Sequence, residues 1–163
     1  MHKLSFVAGA AMAVAVRATL PHLVVLKLKR DVNRLNHGDY QPLLAGFAPD
    51  AVLHFHEGQH RWSGSHAGRA AIERFLRNTA AAGLQGELGR LWISGPPWAL
   101  EICVRFDDTG HAPDGEQIYA NRTVIWARTR WGKIIEQRDF YEDTNRILDF
   151  ETKLQELDIP IET

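Results

Sequence analysis

The chain changes its hydrophobic period once, near Glu87, and this change restricts the folds that it can adopt. Before Glu87 apolar side chains recur mainly at helical spacing, and after it they alternate with polar ones as in half-buried strands. Helices followed by a run of strands are typical of an α+β architecture. The chain has 163 residues, the size of one domain, and contains no internal repeat. We therefore expect a single α+β domain over residues 1–163.

Helices are predicted mainly in the first half of the chain. The expected segments are Leu4 to Ala18, Pro21 to His37, Leu43 to Phe47, and His66 or Gly68 to Ala82, with one short strand from Ala51 to His56. A last helix, over about 144–159, is predicted after the capping residue Thr144. Its apolar residues Ile147, Phe150, Leu154 and Leu157 recur every three or four positions.

Four longer strands are predicted after the change of period. They run from Glu87 to Ser94, Trp98 to Asp107, Gln117 to Thr129 and Ile134 to Glu142. The first two are separated by the turn 95–97 (GPP), and the last two by the tight hairpin 130–133 (RWGK). The segment from Asp107 to Glu116, with two Gly and one Pro, is predicted to be a hairpin loop.

The charge balance and the cysteine count exclude several kinds of partner and site. Lys and Arg number 19 against 20 Asp and Glu, and the basic residues are scattered, so we expect no nucleic-acid partner. The single cysteine, Cys103, lies in an apolar run and indicates a core position in a reducing, cytoplasmic protein. The apolar stretch from Leu4 to Val16 is too short to span a bilayer and is predicted to be a packing helix; an export signal is the alternative.

Five short phrases, in this order, resemble the SnoaL-like branch of the nuclear transport factor 2-like superfamily. They are LNHGD at 35–39, FAPDAV at 47–52, GRAAIERF at 68–75, WGKI at 131–134 and YEDT at 141–144. The resemblance covers about residues 22–144. It implies a cone, in which a curved antiparallel sheet with helices over its concave face encloses a pocket for a small, mostly apolar molecule. The fold carries many functions, so it does not determine the chemistry.

Three charged residues are similar to the catalytic pattern of the limonene epoxide hydrolases, within the same superfamily. Arg105 and Asp107 share one face of a strand, and Asp139 follows Asp107 after 32 residues. This resemblance implies that Asp139 is a general base, Asp107 a general acid and Arg105 a bridge that keeps their pKa values apart. Two positions depart from the pattern. Leu53 and Phe55 occupy the positions at which the family has the Tyr and Asn side chains that orient a water.

Two alternatives stay open at this point. The apolar residues from Trp98 to Phe106 alternate with Cys103, Arg105 and Asp107, so the charged side chains could face solvent instead of the pocket. The ketosteroid isomerases offer another chemistry of proton transfer, but their functional positions fall near Phe55, Asp31 and Ile125 or Trp126, which differ in type. The function expected is cofactor-independent acid–base chemistry of the epoxide hydrolase or isomerase type, and the alternative is a non-catalytic binding or dimerisation module.

The remaining expectations concern ligands and partners. His54, His56 and His60 are spaced like half of a metal motif, but no second half follows, so neither a metal nor a cofactor is expected. A homodimer through the outer face of the sheet is predicted, because the strands have more apolar residues than one core needs. The residues predicted to bind the substrate are Phe55, His54, His56, Trp62, Tyr119, Trp126 and Tyr141.

Overall fold

The computed structural model describes residues 21–162, which form four helices and one sheet. The helices are α1 over residues 21–36, α2 over Gln41–Leu44, α3 over Gly68–Ala81 and α4 over Asn145–Glu156. The predicted helix from Leu4 to Ala18 lies outside the described residues. Among the described residues no helix is long and apolar enough to cross a membrane.

The sheet has six strands in the order β2-β1-β6-β5-β4-β3. The strands are β1 Phe47–His54, β2 Ser65–Ala67, β3 Leu84–Ser94, β4 Glu101–His111, β5 Gln117–Arg130 and β6 Lys133–Tyr141. Neighbouring strands are antiparallel except β1 and β6, which are parallel. The α+β class and the curved sheet are confirmed, with this one parallel pair as a departure from the expected antiparallel sheet. Register shifts in four of the five pairings are irregularities of the kind that bend and twist a sheet.

Both long helices after β1 pack through one apolar face. In α3 the buried residues Ile72, Phe75, Leu76 and Thr79 follow helical spacing and face β1. In α4 Ile147, Phe150 and Leu154 are buried, and the helix packs against β5. Helix α1 contributes Val32 and Leu28 to a second apolar cluster with residues of β3, β4 and β5. The inner face of the sheet is therefore covered by helices.

The loop predicted from Asp107 to Glu116 is mostly strand. Strand β4 continues to His111, and the chain reverses over Ala112–Glu116, where the amide of Ala112 donates to the carbonyl of Glu116 at 2.8 Å. Gly110 is part of the strand because it lies against Phe150 of α4: a Cβ on Gly110 would lie 2.6 Å from Cζ of Phe150. The glycine therefore permits a close approach within the sheet, and it does not form a turn.

Alternation along the strands decides which side chains face the helices. On β4 the inner face carries Ile102, Val104, Phe106 and Asp108, and the opposite face carries Cys103, Arg105 and Asp107. Cys103 is half-buried, so the expected core position is wrong. On β5 Thr123, Ile125 and Ala127 point inward. The arrangement left open by the sequence, with the apolar face inside, is the one that forms.

Candidate functional site

A cavity of about 260 Å³ lies between α1, α3 and the inner face of the sheet. Aliphatic side chains of α1, β4 and β5 form much of its wall. Six aromatic side chains also line it, namely Phe47, Phe55, Trp62, Phe75, Phe106 and Tyr141. Clefts of this kind, mostly apolar with a few polar groups, are typical binding sites for small molecules.

Asp139, on β6, is one of the acidic side chains that line this cavity. It is half-buried, and Nε2 of Gln137 donates a hydrogen bond to its Oδ1 at 2.8 Å. Burial raises the pKa of Asp139 to about 7, while the Gln137 bond lowers it and the nearby charge of Asp108 raises it. At neutral pH this carboxyl can therefore either accept or donate a proton.

A second carboxyl, that of Asp108 on β4, also lines the cavity. Asp108 is buried, and the hydroxyl of Thr123 on β5 donates to its Oδ2. Burial raises the pKa of Asp108 to about 6, the Thr123 bond lowers it, and the charge of Asp107 raises it. The two carboxyls, Asp108 and Asp139, therefore titrate close to neutrality within one cavity.

Tyr141 places a phenol near these carboxyls. It follows Asp139 by two residues on the same face of β6, and it pairs across the ladder with Thr123. Burial raises the pKa of Tyr141 well above its ordinary value, and the charges of Asp108 and Asp139 raise it further. The phenol therefore stays protonated and can donate a hydrogen bond to a ligand.

Helix α1 contributes a third acidic group, Asp31. Its carboxylate is fully buried; Nε and Nη2 of Arg30 donate to Oδ1 at 3.0 Å each, and Nζ of Lys27 donates to Oδ2. Burial alone would raise the pKa of Asp31, but the bonds and charges of Lys27 and Arg30 outweigh it and lower the pKa. Asp31 is therefore an ionised part of the cavity wall.

The structure does not bring together the three residues of the epoxide hydrolase pattern. Arg105 and Asp107 bond to each other at 2.7 Å on the outer face, where their side chains are 45% and 43% exposed. Asp139 lies on the inner face. The reason is the parity of β4, which turns Asp108 inward and its neighbours outward. The predicted bridge between the carboxyls by Arg105 is therefore not formed.

The seven predicted substrate-binding residues are divided in the same way. Phe55, Trp62 and Tyr141 line the cavity. Among those that do not, Tyr119 stacks on Phe150 in the core at 4.5 Å, and Trp126 lies on the outer face beneath Arg128. His54 bonds to Ser65, and His56 packs against His60 with ring centroids 4.4 Å apart. These four placements differ from the prediction because each depends on which way one side chain leaves its strand or loop.

Two acidic groups of the wall escaped the sequence analysis. Asp108 could have been found from the alternation of β4, because it continues the apolar series Ile102, Val104, Phe106. For Asp31 the sequence gives no such signal, because the segment LKLKRD at 26–31 has the charge pattern of a solvated helix face. Among the described residues no group of three His, Cys, Asp or Glu could hold a metal ion.

Comparison with known proteins supports the fold. No curated protein matches the chain. Among solved structures, Bal32a from a soil-derived mobile gene cassette is 21% identical, with a TM-score of 0.62 over 78% of this chain and 95% of its own. A protein of unknown function with the nuclear transport factor 2-like fold, from Burkholderia pseudomallei, is 19% identical, with a TM-score of 0.65 over 78% and 96%. TerC, co-crystallized with polyporic acid, is 17% identical, with a TM-score of 0.62 over 78% and 97%.

A family model places the chain more firmly. The model of the SnoaL-like domain matches residues 28–137, which is more than half of the chain. The matched span runs from within α1 to Gln137 on β6, so it includes the whole of β4 and β5. The sequence resemblance is confirmed by this match and by the fold. The chain therefore belongs to the SnoaL-like domain family.

Proposed function

We propose that this protein catalyses a proton transfer of the isomerase type, without a cofactor, on a small and mostly apolar molecule. The observation that carries the proposal is the position of Asp139, a carboxyl with a pKa of about 7 in the wall of an apolar cavity. A general base works best when its pKa lies near the working pH. Because perturbed carboxyls in clefts mark functional sites, Asp139 is the first candidate for the base.

The second carboxyl, that of Asp108, allows the site to hold a general acid and a general base at the same time. Between the pKa values of about 6 and 7, the pair Asp108 and Asp139 holds on average one proton. One carboxyl is then ionised and accepts a proton, while the other is protonated and can donate one. Because Asp139 has the higher pKa, the proton lies mainly on Asp139, and the catalytic form, with Asp139 ionised and Asp108 protonated, is the minor one of the two. Two carboxyls that divide acid and base roles in this way are a recurrent arrangement in enzymes.

The reaction that fits these groups is the migration of a proton next to a carbonyl. Asp139 takes a proton from the carbon beside the carbonyl, and the C–H electron pair moves to make an enolate with its charge on oxygen. Tyr141 and the protonated carboxyl stabilise that oxygen by hydrogen bonds. Asp139 then returns the proton to another carbon of the conjugated system, so the product is an isomer of the substrate.

Epoxide hydration is the second candidate, because two carboxyls face one cavity. Asp139 would take a proton from water as the water attacks carbon, while protonated Asp108 gives a proton to the epoxide oxygen. Arg105, which would bridge the carboxyls in that chemistry, lies on the outer face. Isomerisation needs no such bridge and is therefore the better supported of the two.

Hydrogen exchange in heavy water tests the first candidate directly. Small cyclic enones and terpenoid ketones are incubated with the protein in D₂O, and deuterium at the carbon beside the carbonyl is followed by NMR; terpene epoxides are screened in parallel for diols. We expect exchange with at least one ketone, and a loss of about 10²–10⁴-fold in Asp139→Asn.

Glu101→Gln is the matched control, because Glu101 is an exposed acid on the same strand as Asp108 and does not line the cavity. This variant should keep the wild-type rate of exchange. If the wild type exchanges none of the ketones and opens none of the epoxides, or if Asp139→Asn is as active as wild type, the catalytic proposal is wrong and the non-catalytic binding module replaces it.

A further inference from the structure

The cluster on α1 has more positive than negative charge. Asp31 supplies one negative charge, which is buried, while Lys27 and Arg30 each supply a positive one. The guanidinium of Arg30 already binds Asp31 through two nitrogens. Because Arg30 alone can neutralise the carboxylate, one positive charge remains in surplus at this part of the wall.

Lys27 places this surplus positive charge in the wall of the cavity. It lines the cavity, as Arg30 does not, and its side chain is 54% exposed. An ammonium group has three protons to donate, and the bond to Asp31 uses one of them. Asp31 therefore holds the ammonium in place while leaving it able to bind a further acceptor.

Lys27 lies at a different level of the cavity from the carboxyl pair. Its Nζ is 4.0 Å from the position that a Cβ would take on Gly46, whose carbonyl accepts the amide of Ile134 at 2.9 Å. From Ile134 to Asp139 the strand β6 rises by roughly 16 Å, at about 3.3 Å for each residue. The cavity thus has one polar end at Lys27 and a second polar region at Asp139.

The signs of the two regions differ. The acids Asp108 and Asp139 face the second region, and a ligand anion beside them would be repelled by whichever is ionised. At Lys27 an anion gains a charge-assisted hydrogen bond. The aliphatic residues Leu28, Leu43 and Ile134 also line the cavity and can cover an apolar body that extends from this end.

From this arrangement we infer that the ligand is an amphipathic monocarboxylate, whose carboxylate binds Lys27 and whose apolar body extends along the cavity toward Asp139. The inference deepens the proposed function and rests on its use of this cavity, because it adds the substrate class to the proposed reaction. Lys27 is a binding residue that selects the substrate and sets its direction, and it takes no part in the proton transfer.

Binding of two matched, unreactive probes tests the inference. Naphthalene-2-carboxylate and its neutral carboxamide have nearly the same shape, and the affinity of each is measured by calorimetry at pH 7.5 and low ionic strength. We expect the wild type to bind the carboxylate about tenfold or more tightly than the amide. Lys27→Met should abolish this preference by weakening the carboxylate alone, and Lys27→Arg should retain most of it.

Lys29→Met is the control, because Lys29 is exposed on the same helix and does not line the cavity. It should leave both affinities unchanged. Equal binding of the two probes by the wild type, binding of neither, or an unchanged preference in Lys27→Met would overturn the inference. If Lys27→Met does not fold, Lys27→Gln replaces it with the same expectation.

The same measurement separates this inference from the proposed reaction. Asp139→Asn should bind the carboxylate probe at least as tightly as wild type, whether or not the wild type turns over any substrate. A charge preference that depends on Lys27 in a protein without turnover would support the ligand class and count against the catalysis. The reverse result would support the catalysis and overturn the ligand class.

Discussion

Thr123 on β5 donates its hydroxyl to the carboxylate of Asp108 on the neighbouring strand, and this bond limits how far burial raises the pKa of Asp108. Replacing the hydroxyl by a methyl group removes the bond and keeps the shape. In Thr123→Val we therefore expect the pKa of Asp108 to rise above its value of about 6, by roughly one unit. Titration of the carboxyl carbons by NMR measures the change.

Thr129→Val is the control for this prediction. Thr129 is buried on the same strand, and its hydroxyl bonds to the backbone of Leu100, far along β5 from Asp108. The pKa of Asp108 should not move in that variant. An equal shift in both variants would show that the effect comes from general loosening of the sheet.

The carboxyl pair predicts a bell-shaped dependence of kcat/KM on pH. Below about 6 both Asp108 and Asp139 are protonated and no base is present, while above about 7 both are ionised and no acid is present. The rate should therefore be greatest between these values. In Asp108→Asn the decline at high pH should disappear, and the remaining rise should follow the pKa of Asp139 alone, which should lie below its wild-type value of about 7 because the charge of Asp108 that raises it is gone.

The order of the elements could be predicted from the sequence because it depends on local signals. The hairpin between β5 and β6 follows from Gly132, which has φ of 76° as a tight turn requires, although Trp131 with φ of 51° also adopts this conformation. Alternation likewise predicts the strands. Where each strand ends is less local: β4 passes through Gly110 because Phe150, 40 residues away, fills the space above it.

The site was harder to predict because it depends on differences of one residue. Asp107 and Asp108 are adjacent acids, and only the facing of β4 decides which of them meets Asp139. The epoxide hydrolase pattern, which depends on the spacing to Asp139, points to Asp107. The apolar alternation along β4 points instead to Asp108. Asp31 is buried because α1 packs on the sheet. Its charged neighbours Lys27 and Arg30 suggest a solvated segment, so the sequence alone does not indicate this burial.

A buried ion pair fixes the loop after β1 to α4. Arg61 and Glu151 are 0% and 2% exposed, and Nε of Arg61 donates to Oε2 of Glu151 at 2.8 Å. The same guanidinium donates to the carbonyls of Ile159 and Pro160. In Glu151→Ala the buried guanidinium loses its counter-charge, so we expect the free energy of unfolding to fall by about 3–5 kcal/mol in urea titrations.

The pair of Lys153 and Glu156 on the same helix is the comparison, because both side chains are more than half exposed. Glu156→Ala should change the free energy of unfolding by no more than about 1 kcal/mol. If the two variants were equally stable, the buried pair would contribute no more than an exposed one.

The outer face of the sheet predicts a homodimer. Trp92 and Phe140 are 48% and 56% exposed there, and Val124 pairs with Phe140 across the ladder. Ion pairs such as Arg105 with Asp107 border these residues, so the face carries both signs of charge and can complement itself in a second copy. Sedimentation at micromolar concentration should give a dimer for the wild type and a monomer for Phe140→Glu.

Trp131→Glu serves as the control for the dimer. Trp131 is exposed like Phe140, but it lies in the turn between β5 and β6 and not on the sheet face. That variant should remain dimeric. A monomeric wild type, or dissociation of both variants alike, would contradict an interface on the outer face.

The histidine pair beside the cavity predicts a loss of stability in mild acid. His60 is buried with neither ring nitrogen hydrogen-bonded, and its ring centroid lies 4.4 Å from that of His56. Burial lowers the pKa of His60 to about 4, the charge of His56 lowers it, and Glu151 raises it. Because the unfolded chain binds this proton near pH 6.5, stability is present above that value and is lost as the pH falls toward 4.

The effect of His60 must be separated from that of Asp108 and Asp139, whose raised pKa values make the folded state more stable as the pH falls below 7. The comparison is therefore made between wild type and His60→Phe, in which both carboxyls remain. From pH 7 to 5 the wild type should lose about 2 kcal/mol relative to the variant in urea titrations. His37→Gln, an exposed site, should follow the wild type, and a His60→Phe curve parallel to that of wild type would contradict the prediction.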